Sequence, residues 1–209
     1  MTEDEARAWL AARDVSRETW AALDRFIAFL LAETERQNLI SAATHAHIWD
    51  RHIVDSVQLL DLAPSTGSWV DLGSGAGFPG LVVAAVGERP VTLVETRAKR
   101  VQFLNQASEA LGIGNRVTVA QSRVETFGAA HYDVISARAF APLPRLLDVA
   151  CHLSVPTTKW LLPKGRSAAA ELAALDGSWQ GDFKIVPSIT DSESAIIVAS
   201  SVGRGKQRR

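Results

Sequence analysis

Apolar residues change their spacing along the chain at Pro64-Ser-Thr-Gly67. Before that point they recur every three or four positions. Trp20, Leu23, Ile27 and Leu30 or Leu31 form one such stripe and predict a helix over Arg17–Asn38, with Ser16 as its N-cap and Glu18 favouring the first turn. Ile48, Ile53, Val57 and Leu60 form a second, over about His45–Asp61. Pro64 to Gly67 then breaks the pattern. Beyond it, short apolar runs alternate with helical spacing. The predicted strands are Trp69–Leu72, Val91–Glu95, Arg116–Ala120, Tyr132–Ala137, Trp160–Pro163, Lys184–Pro187 and Ala195–Ser200. The predicted helices between them are Leu81–Val86, Lys99–Leu111, Leu143–Cys151 and Ser167–Leu175. Repeated strand–helix units imply an α/β fold, with a mostly parallel seven-stranded sheet covered on both faces. Only Ser188–Ser194 separates the last two strands, which suits an antiparallel pair at the edge.

The most informative stretch is Ser68-Trp-Val-Asp-Leu-Gly-Ser-Gly-Ala-Gly-Phe-Pro-Gly80, where an apolar run meets four glycines and then a helical face. Glycines let the backbone turn sharply and approach a ligand closely. Pro79 suits the first turn of the following helix, whose N-terminus offers free N–H groups. Gly75 to Gly80 matches the dinucleotide pattern G-x-G-x-x-G, and Glu95 follows 20 residues after Gly75 at the end of the next predicted strand. An acid there can hold two ribose hydroxyls, as expected for NAD and for S-adenosylmethionine alike. Asp71 leans the reading towards the second. It is set within the strand and must be paired if buried. The loop N–H groups could satisfy it, or it could face the cation of a methionine-bearing ligand, or it could only brace the turn. Close to a pyrophosphate it would be repelled.

Length and composition narrow the classes. The 209 residues suffice for one α/β domain with an appended subdomain; 47% are hydrophobic and 22% charged, which is ordinary globular composition. The net charge of −1 is not that of a strong binder of naked nucleic acid. A lone cysteine, Cys151, forms no internal disulfide and fits a reducing, cytoplasmic setting as a buried thiol. The acidic start, Met-Thr-Glu-Asp-Glu, does not read as a signal peptide, and no stretch reaches the length of a membrane span. His45 and His47 diverge on a helix, and the sequence shows no acid or cysteine cluster to complete a site with them, so no metal is expected.

Asp71-Leu-Gly-Ser-Gly-Ala-Gly-Phe-Pro-Gly80 resembles the glycine loop of the RsmG (GidB) family, bacterial guanine-N7 methyltransferases of 16S ribosomal RNA. The resemblance extends upstream through Asn38-Leu39 and Trp49-Asp-Arg-His-Ile-Val-Asp-Ser56. Downstream it takes in Lys99-Arg100, Phe103-Leu104 and Ser136-Ala-Arg-Ala-Phe-Ala-Pro-Leu143, so it covers about Asn38 to Gly165. It implies a class I S-adenosylmethionine-dependent methyltransferase, Rossmann-like, whose last strand is antiparallel. The division is then a helical extension over residues 1–64, the methyltransferase domain over 65–202 and a basic tail over 203–209.

The loops after the strands are where such sheets bind ligands. The resemblance implies cofactor contacts from Gly73, Phe78, Val124, Glu125 and Arg138, joined on the sequence reading by Asp71, Gly75, Gly77 and Glu95. Guanine N7 carries an exposed lone pair and no proton, so no general base is sought. Arg138 and Phe140 stand near the expected transfer site, with Phe140 and the Ala141-Pro142 turn as holders of the base. Arg51, His52, Arg123, Arg145, Lys164 and Arg166 are the candidate contacts to 16S ribosomal RNA within the small subunit, with the tail Arg204–Arg209 free to reach phosphates. Two alternatives remain: an NAD-dependent oxidoreductase, and a non-catalytic ribosomal RNA-binding factor.

Overall fold

The computed structural model describes residues 1–128, 130–175 and 177–205. Seven strands form one sheet in the order β3-β2-β1-β4-β5-β7-β6. They are β1 (Trp69–Leu72), β2 (Val91–Glu95), β3 (Val117–Gln121), β4 (Val134–Ser136), β5 (Lys159–Lys164), β6 (Trp179–Pro187) and β7 (Ala195–Arg204). The pairs among β1 to β5 are parallel; β7 runs antiparallel between β5 and β6. The chain leaves β1 towards β3 and returns to β4 on the other side of β1. The crevice at the carboxyl ends of β1 and β4 is therefore the switch point where ligands bind in such sheets.

Strand side chains alternate between two cores. Trp69, Val91, Leu93, Val134 and Leu161 enter one, while Val70, Leu72, Val94, Ile135 and Trp160 enter the other. The first core is covered by α1 (Glu3–Ala11), α2 (Arg17–Thr34), α3 (Asp55–Val57), α4 (Gly80–Val86) and α5 (Ala98–Ala110). The second is covered by α6 (Leu143–Ala150) and α7 (Ala168–Ala173). The helices before Pro64 share one continuous apolar cluster with β1, β2, α4 and α5 and have no separate core. Phe26 of α2 is fully buried, with its ring 5.6 Å from that of Phe78 in the glycine loop.

Several boundaries differ from the sequence expectation. α1 was absent from it, although Thr2 and Glu5 form a capping box: Glu5 N–H donates to Thr2 Oγ1 at 3.2 Å and Thr2 N–H to Glu5 Oε2 at 2.8 Å. α2 stops at Thr34 and not Asn38; Thr34 Oγ1 donates back to Leu30 O, and Gln37 turns onto Glu33. The second helical run begins at Trp49, not His45. It opens as a π-helical turn, Trp49–Val54, passes through α3 and ends as a 3₁₀ turn, Gln58–Leu62. Its start is fixed from afar, since Glu3 Oε1 accepts the N–H groups of Trp49 and Asp50. β6 begins at Trp179, five residues before the expected Lys184, across a bulge at Gln180/Asp182. The expected tail starts inside β7: Arg204 pairs with Asp148 at 2.7 Å and covers the Trp179 ring. Residues 206–209 lie outside the described residues. Among the described residues no helix is long and apolar enough to cross a membrane.

Because the N-terminal helices and the sheet share a core, Phe26→Ala is expected to lower stability by about 3–5 kcal/mol and to keep a single unfolding transition. Urea denaturation followed by far-UV circular dichroism and tryptophan fluorescence measures this. Two separated transitions in the parent chain would contradict the shared core.

Candidate functional site

Two clefts meet at the switch point, of about 550 Å³ and about 540 Å³. Ala139 and Phe140, in the loop after β4, line both and form the wall between them. Ala139 holds φ 52, a left-handed conformation that disfavours a side chain. The Phe140 ring leans over Gly73, where a Cβ would come within 2.5 Å of Phe140 Cδ2. Gly73 has φ 69, so two separate constraints demand glycine there.

The first cleft is floored by Gly73 and Glu95 and walled by Val124 and Glu125. Glu95 is buried and organises this end of the sheet. Its Oε2 accepts the N–H of Gly75 at 3.1 Å, and its Oε1 accepts those of Thr96 at 2.7 Å and Arg97 at 2.9 Å. Arg100 stands 3.8 Å from Oε2. Thr96, Arg97 and Arg100 line this cleft as well and were not anticipated. Their position directly after β2 was the available signal.

Asp71, Gly77 and Phe78 lie behind the cleft wall. Asp71 is completely buried. Its Oδ1 accepts the Ser136 hydroxyl at 2.7 Å, and Ser136 accepts the Trp69 indole N–H at 2.8 Å, so β1 is tied to β4. Burial pushes the Asp71 carboxyl up to about 6, opposed by the hydrogen bond from Ser136 and by the charge of Arg138; the Ser74 hydroxyl donates to Asp71 O at 2.9 Å. Phe78 is 3% exposed and is packed between Phe26 and the His52 imidazole, which stacks on it at 4.8 Å and 16°. At Gly77, φ 89, an added Cβ would meet Leu81 Cδ1 of α4.

The second cleft is lined by Arg51, His52, Asp55, Arg138, Lys164 and Glu171, with the Ser188–Thr190 turn beside them. Arg138 donates to Arg51 O at 3.1 Å, lies 3.7 Å from Asp55 Oδ2 and stands 5.1 Å above the Phe78 ring. Burial lowers its pKa, Asp55 and Asp71 oppose that, and the guanidinium stays charged. Asp55 also accepts from Gln58 at 2.8 Å and Thr190 at 3.0 Å, which docks the turn before β7 onto α3. Asp55 was missed, although it stands within the Trp49–Ser56 stretch that carries the resemblance.

The expected cationic residues are mostly engaged by acids. Arg51 pairs with Asp191 at 2.7 Å and holds its carboxyl down to about 2. Arg145 and Arg123 flank Glu125 at 2.8 and 3.8 Å. Lys164 pairs with Glu171 at 2.7 Å and donates to Ala141 O at 2.8 Å; Arg166 pairs with Glu193. His52 is not a cationic surface residue. It is 7% exposed, and burial, followed by the charges of Arg138, Arg51 and His45, lowers its pKa to about 3. Its Nε2 is 3.1 Å from Thr44 Oγ1.

Residues 19–196 match the model of the GidB family, described as rRNA small subunit methyltransferase G. The chain belongs to this family. A protein named ribosomal RNA small subunit methyltransferase G from Rhizorhabdus wittichii is 57% identical, over 100% of this chain and 99% of its own. Its namesake from Zymomonas mobilis is 48% identical, over 100% and 98%. Among solved structures, the glycopeptide N-methyltransferase MtfA with S-adenosyl-L-homocysteine superposes with TM-score 0.59 at 13% identity, over 70% of this chain and 88% of that one. An RNA methyltransferase from Salinibacter ruber with the same ligand gives TM-score 0.53 at 17% identity, over 70% and 89%. At such identities the likeness concerns the fold, which is that of class I methyltransferases.

Two outcomes follow from this geometry. Gly73→Ala forces a left-handed alanine against Phe140; strain of about 1–3 kcal/mol is expected to weaken S-adenosylhomocysteine binding by about tenfold or more, read by calorimetry. Unchanged affinity would contradict the close approach at Gly73. His52 has a folded pKa below its ordinary value of 6.5, so the unfolded chain binds the extra proton between about 6.5 and 3. His52 therefore contributes stability above pH 6.5 that is lost as pH falls towards 3. Its imidazole NMR shifts are expected to stay constant from pH 8 to pH 5; a titration midpoint near 6.5 would contradict its burial as a neutral ring.

Proposed function

We propose that this chain transfers a methyl group from S-adenosylmethionine to N7 of a guanine in 16S ribosomal RNA, with the small ribosomal subunit as its substrate particle. The observation that carries the reading is the pair of clefts meeting at Ala139–Phe140, at the switch point of a chain in this family. One cleft suits a nucleoside and the other a base. That substrate sets the reaction in the cytoplasm.

The first cleft fits the cofactor by the chemistry of its lining. Gly73 leaves room that a Cβ would fill, Glu95 offers a carboxylate to ribose hydroxyls, and Val124 and Glu125 wall the side suited to adenine. When bound, S-adenosylmethionine supplies an electrophilic methyl group on sulfonium. Arg138, held by Asp55 and Arg51 O, is positioned to receive a carboxylate or orient the base. The remaining work of the chain is placement. A guanine N7 needs no deprotonation, and holding reactants in line accounts for a large share of rate enhancement in such transfers. Phe140, at the wall between the clefts, offers a π face to a ring that gains positive charge. Asp71, Gly77 and Phe78 support the loop from behind, and Gly75 ties it to Glu95 through its N–H.

The ion pairing of Arg51, Arg123, Arg145, Lys164 and Arg166 supports a particle as substrate. Paired cations attract free phosphates weakly, and the net charge of −1 adds no long-range pull. A preorganised RNA surface asks for less. The dinucleotide alternative is disfavoured by the reversed β7 and by Asp71 beneath the glycine loop.

Labelled S-adenosylmethionine supplied with small subunits lacking the modification is expected to give label in 7-methylguanosine, identified by mass. The rate on deproteinised RNA is expected to be at least about tenfold lower, as binding rests on shape more than on phosphate charge. Equal rates on both substrates would contradict the particle reading. Absence of label, with S-adenosylhomocysteine still bound, would overturn the substrate and favour a non-catalytic factor.

A further inference from the structure

A group of side chains outside both clefts brings two carboxylates together with one imidazole. α1 lies across the π-helical turn, and there Glu3, His47 and Asp50 each bring a ligand atom within 4.8 Å of the others. Glu3 is fixed in place because its Oε1 accepts the N–H groups of Trp49 at 2.8 Å and Asp50 at 3.2 Å. His47 and Asp50 stand three positions apart and face one another, with Nδ1 and Oδ1 separated by 3.6 Å. Asp50 is 3% exposed, and that same Oδ1 has no hydrogen-bond partner among the described residues. A buried carboxylate oxygen is rarely left so.

The cation next along α1 does not relieve it. Arg7, one turn from Glu3, lies over the Trp49 ring at 4.1 Å and pairs with Asp24 at 3.3 Å. The group thus holds two carboxylates and one imidazole in a partly buried corner. Glu3 and Asp50 set two carboxylates side by side there, so negative charge is crowded. Such crowding is relieved by a shared proton or by a bound cation. The donor set distinguishes between cations. One imidazole nitrogen with two carboxylates suits a first-row divalent ion of the zinc type, whereas magnesium and calcium prefer all-oxygen shells with more ligands. The His47 side chain is 53% exposed, which leaves an open side for water ligands and an entry path.

We infer that Glu3, His47 and Asp50 form a binding site for a divalent transition cation, of which Zn²⁺ is the representative. The ion joins α1 to the turn that carries Arg51 and His52, so it fastens the N-terminal helix to the wall of the second cleft. The sequence reading missed this group because Glu3 comes from a helix 44 positions before His47. His45, which the sequence reading set apart from His47 as diverging on the helix, takes no part.

The test uses the untagged full-length chain after chelator treatment, titrated with Zn²⁺ by calorimetry and melted with and without the ion. One saturable site and a raised Tm are expected. His47→Ala and Asp50→Asn are each expected to weaken Zn²⁺ binding by about tenfold or more, while Cys151→Ser retains it and Mg²⁺ does not compete. His47 is half exposed, so His47→Ala is expected to keep the parent circular dichroism spectrum and to separate ligand loss from misfolding. The proposal is overturned by the absence of a one-to-one site, or by binding that both variants leave unchanged. It is equally overturned if Zn²⁺ leaves the Tm of the parent unmoved while Asp50→Asn raises it, the signature of a shared proton.

Discussion

The Glu95 carboxylate is the joint on which the cleft depends. It sits at the end of β2 yet accepts an N–H from Gly75 in the loop after β1, and two more from the start of its own loop. Hydrogen bonds to a charged group contribute about 1.5–3 kcal/mol each, and here they fix the spacing between two neighbouring loops. A backbone that turns through left-handed glycines has little stiffness of its own. A buried acid that accepts its N–H groups supplies it. Asp71 plays a matching part below, where the Trp69–Ser136–Asp71 chain locks β1 to β4. Burial raises the Asp71 pKa, and its Oδ2 has no hydrogen-bond partner among the described residues.

From that joint the division of the site follows. The loop after β4 crosses over Gly73, and Ala139 and Phe140 separate two clefts of similar size. The second cleft is built from contributions far apart in the chain: the π-helical turn, the loop after β4, the start of α7 and the turn before β7. Asp55 joins two of these, through Arg138 and Thr190, and is itself braced by Gln58. Most cations of this region are already neutralised by acids, so the face presents shape and hydrogen-bonding groups more than free positive charge.

How much of this was legible in the sequence depends on whether the cause was local. The βα alternation, the glycine loop and Glu95 rest on spacing within a few tens of residues, and all seven strands stand within a few positions of expectation apart from the early start of β6. The polar, exposed outer face of β6 concealed that start, since alternation there carries little apolar signal. α1 could have been found from Thr2 and Glu5. The beginning of the Trp49 turn could not, because its cap comes from Glu3. Phe78 and His52 show the same limit: both stand in the stretches that carry the resemblance, yet they stack on each other in the interior. Nothing in their sequence neighbourhoods separates a ring that supports a loop from one that touches a ligand.

The central claim is that the two clefts divide cofactor from target base across Ala139 and Phe140. The most direct measurement is an experimental structure of the full chain with S-adenosylhomocysteine bound. The account predicts the ribose at Glu95, the adenine between Val124 and Glu125, and the sulfur directed past Gly73 towards the cleft of Arg138 and Lys164. A ligand seated wholly in the second cleft, or one whose sulfur points away from Phe140, would contradict it.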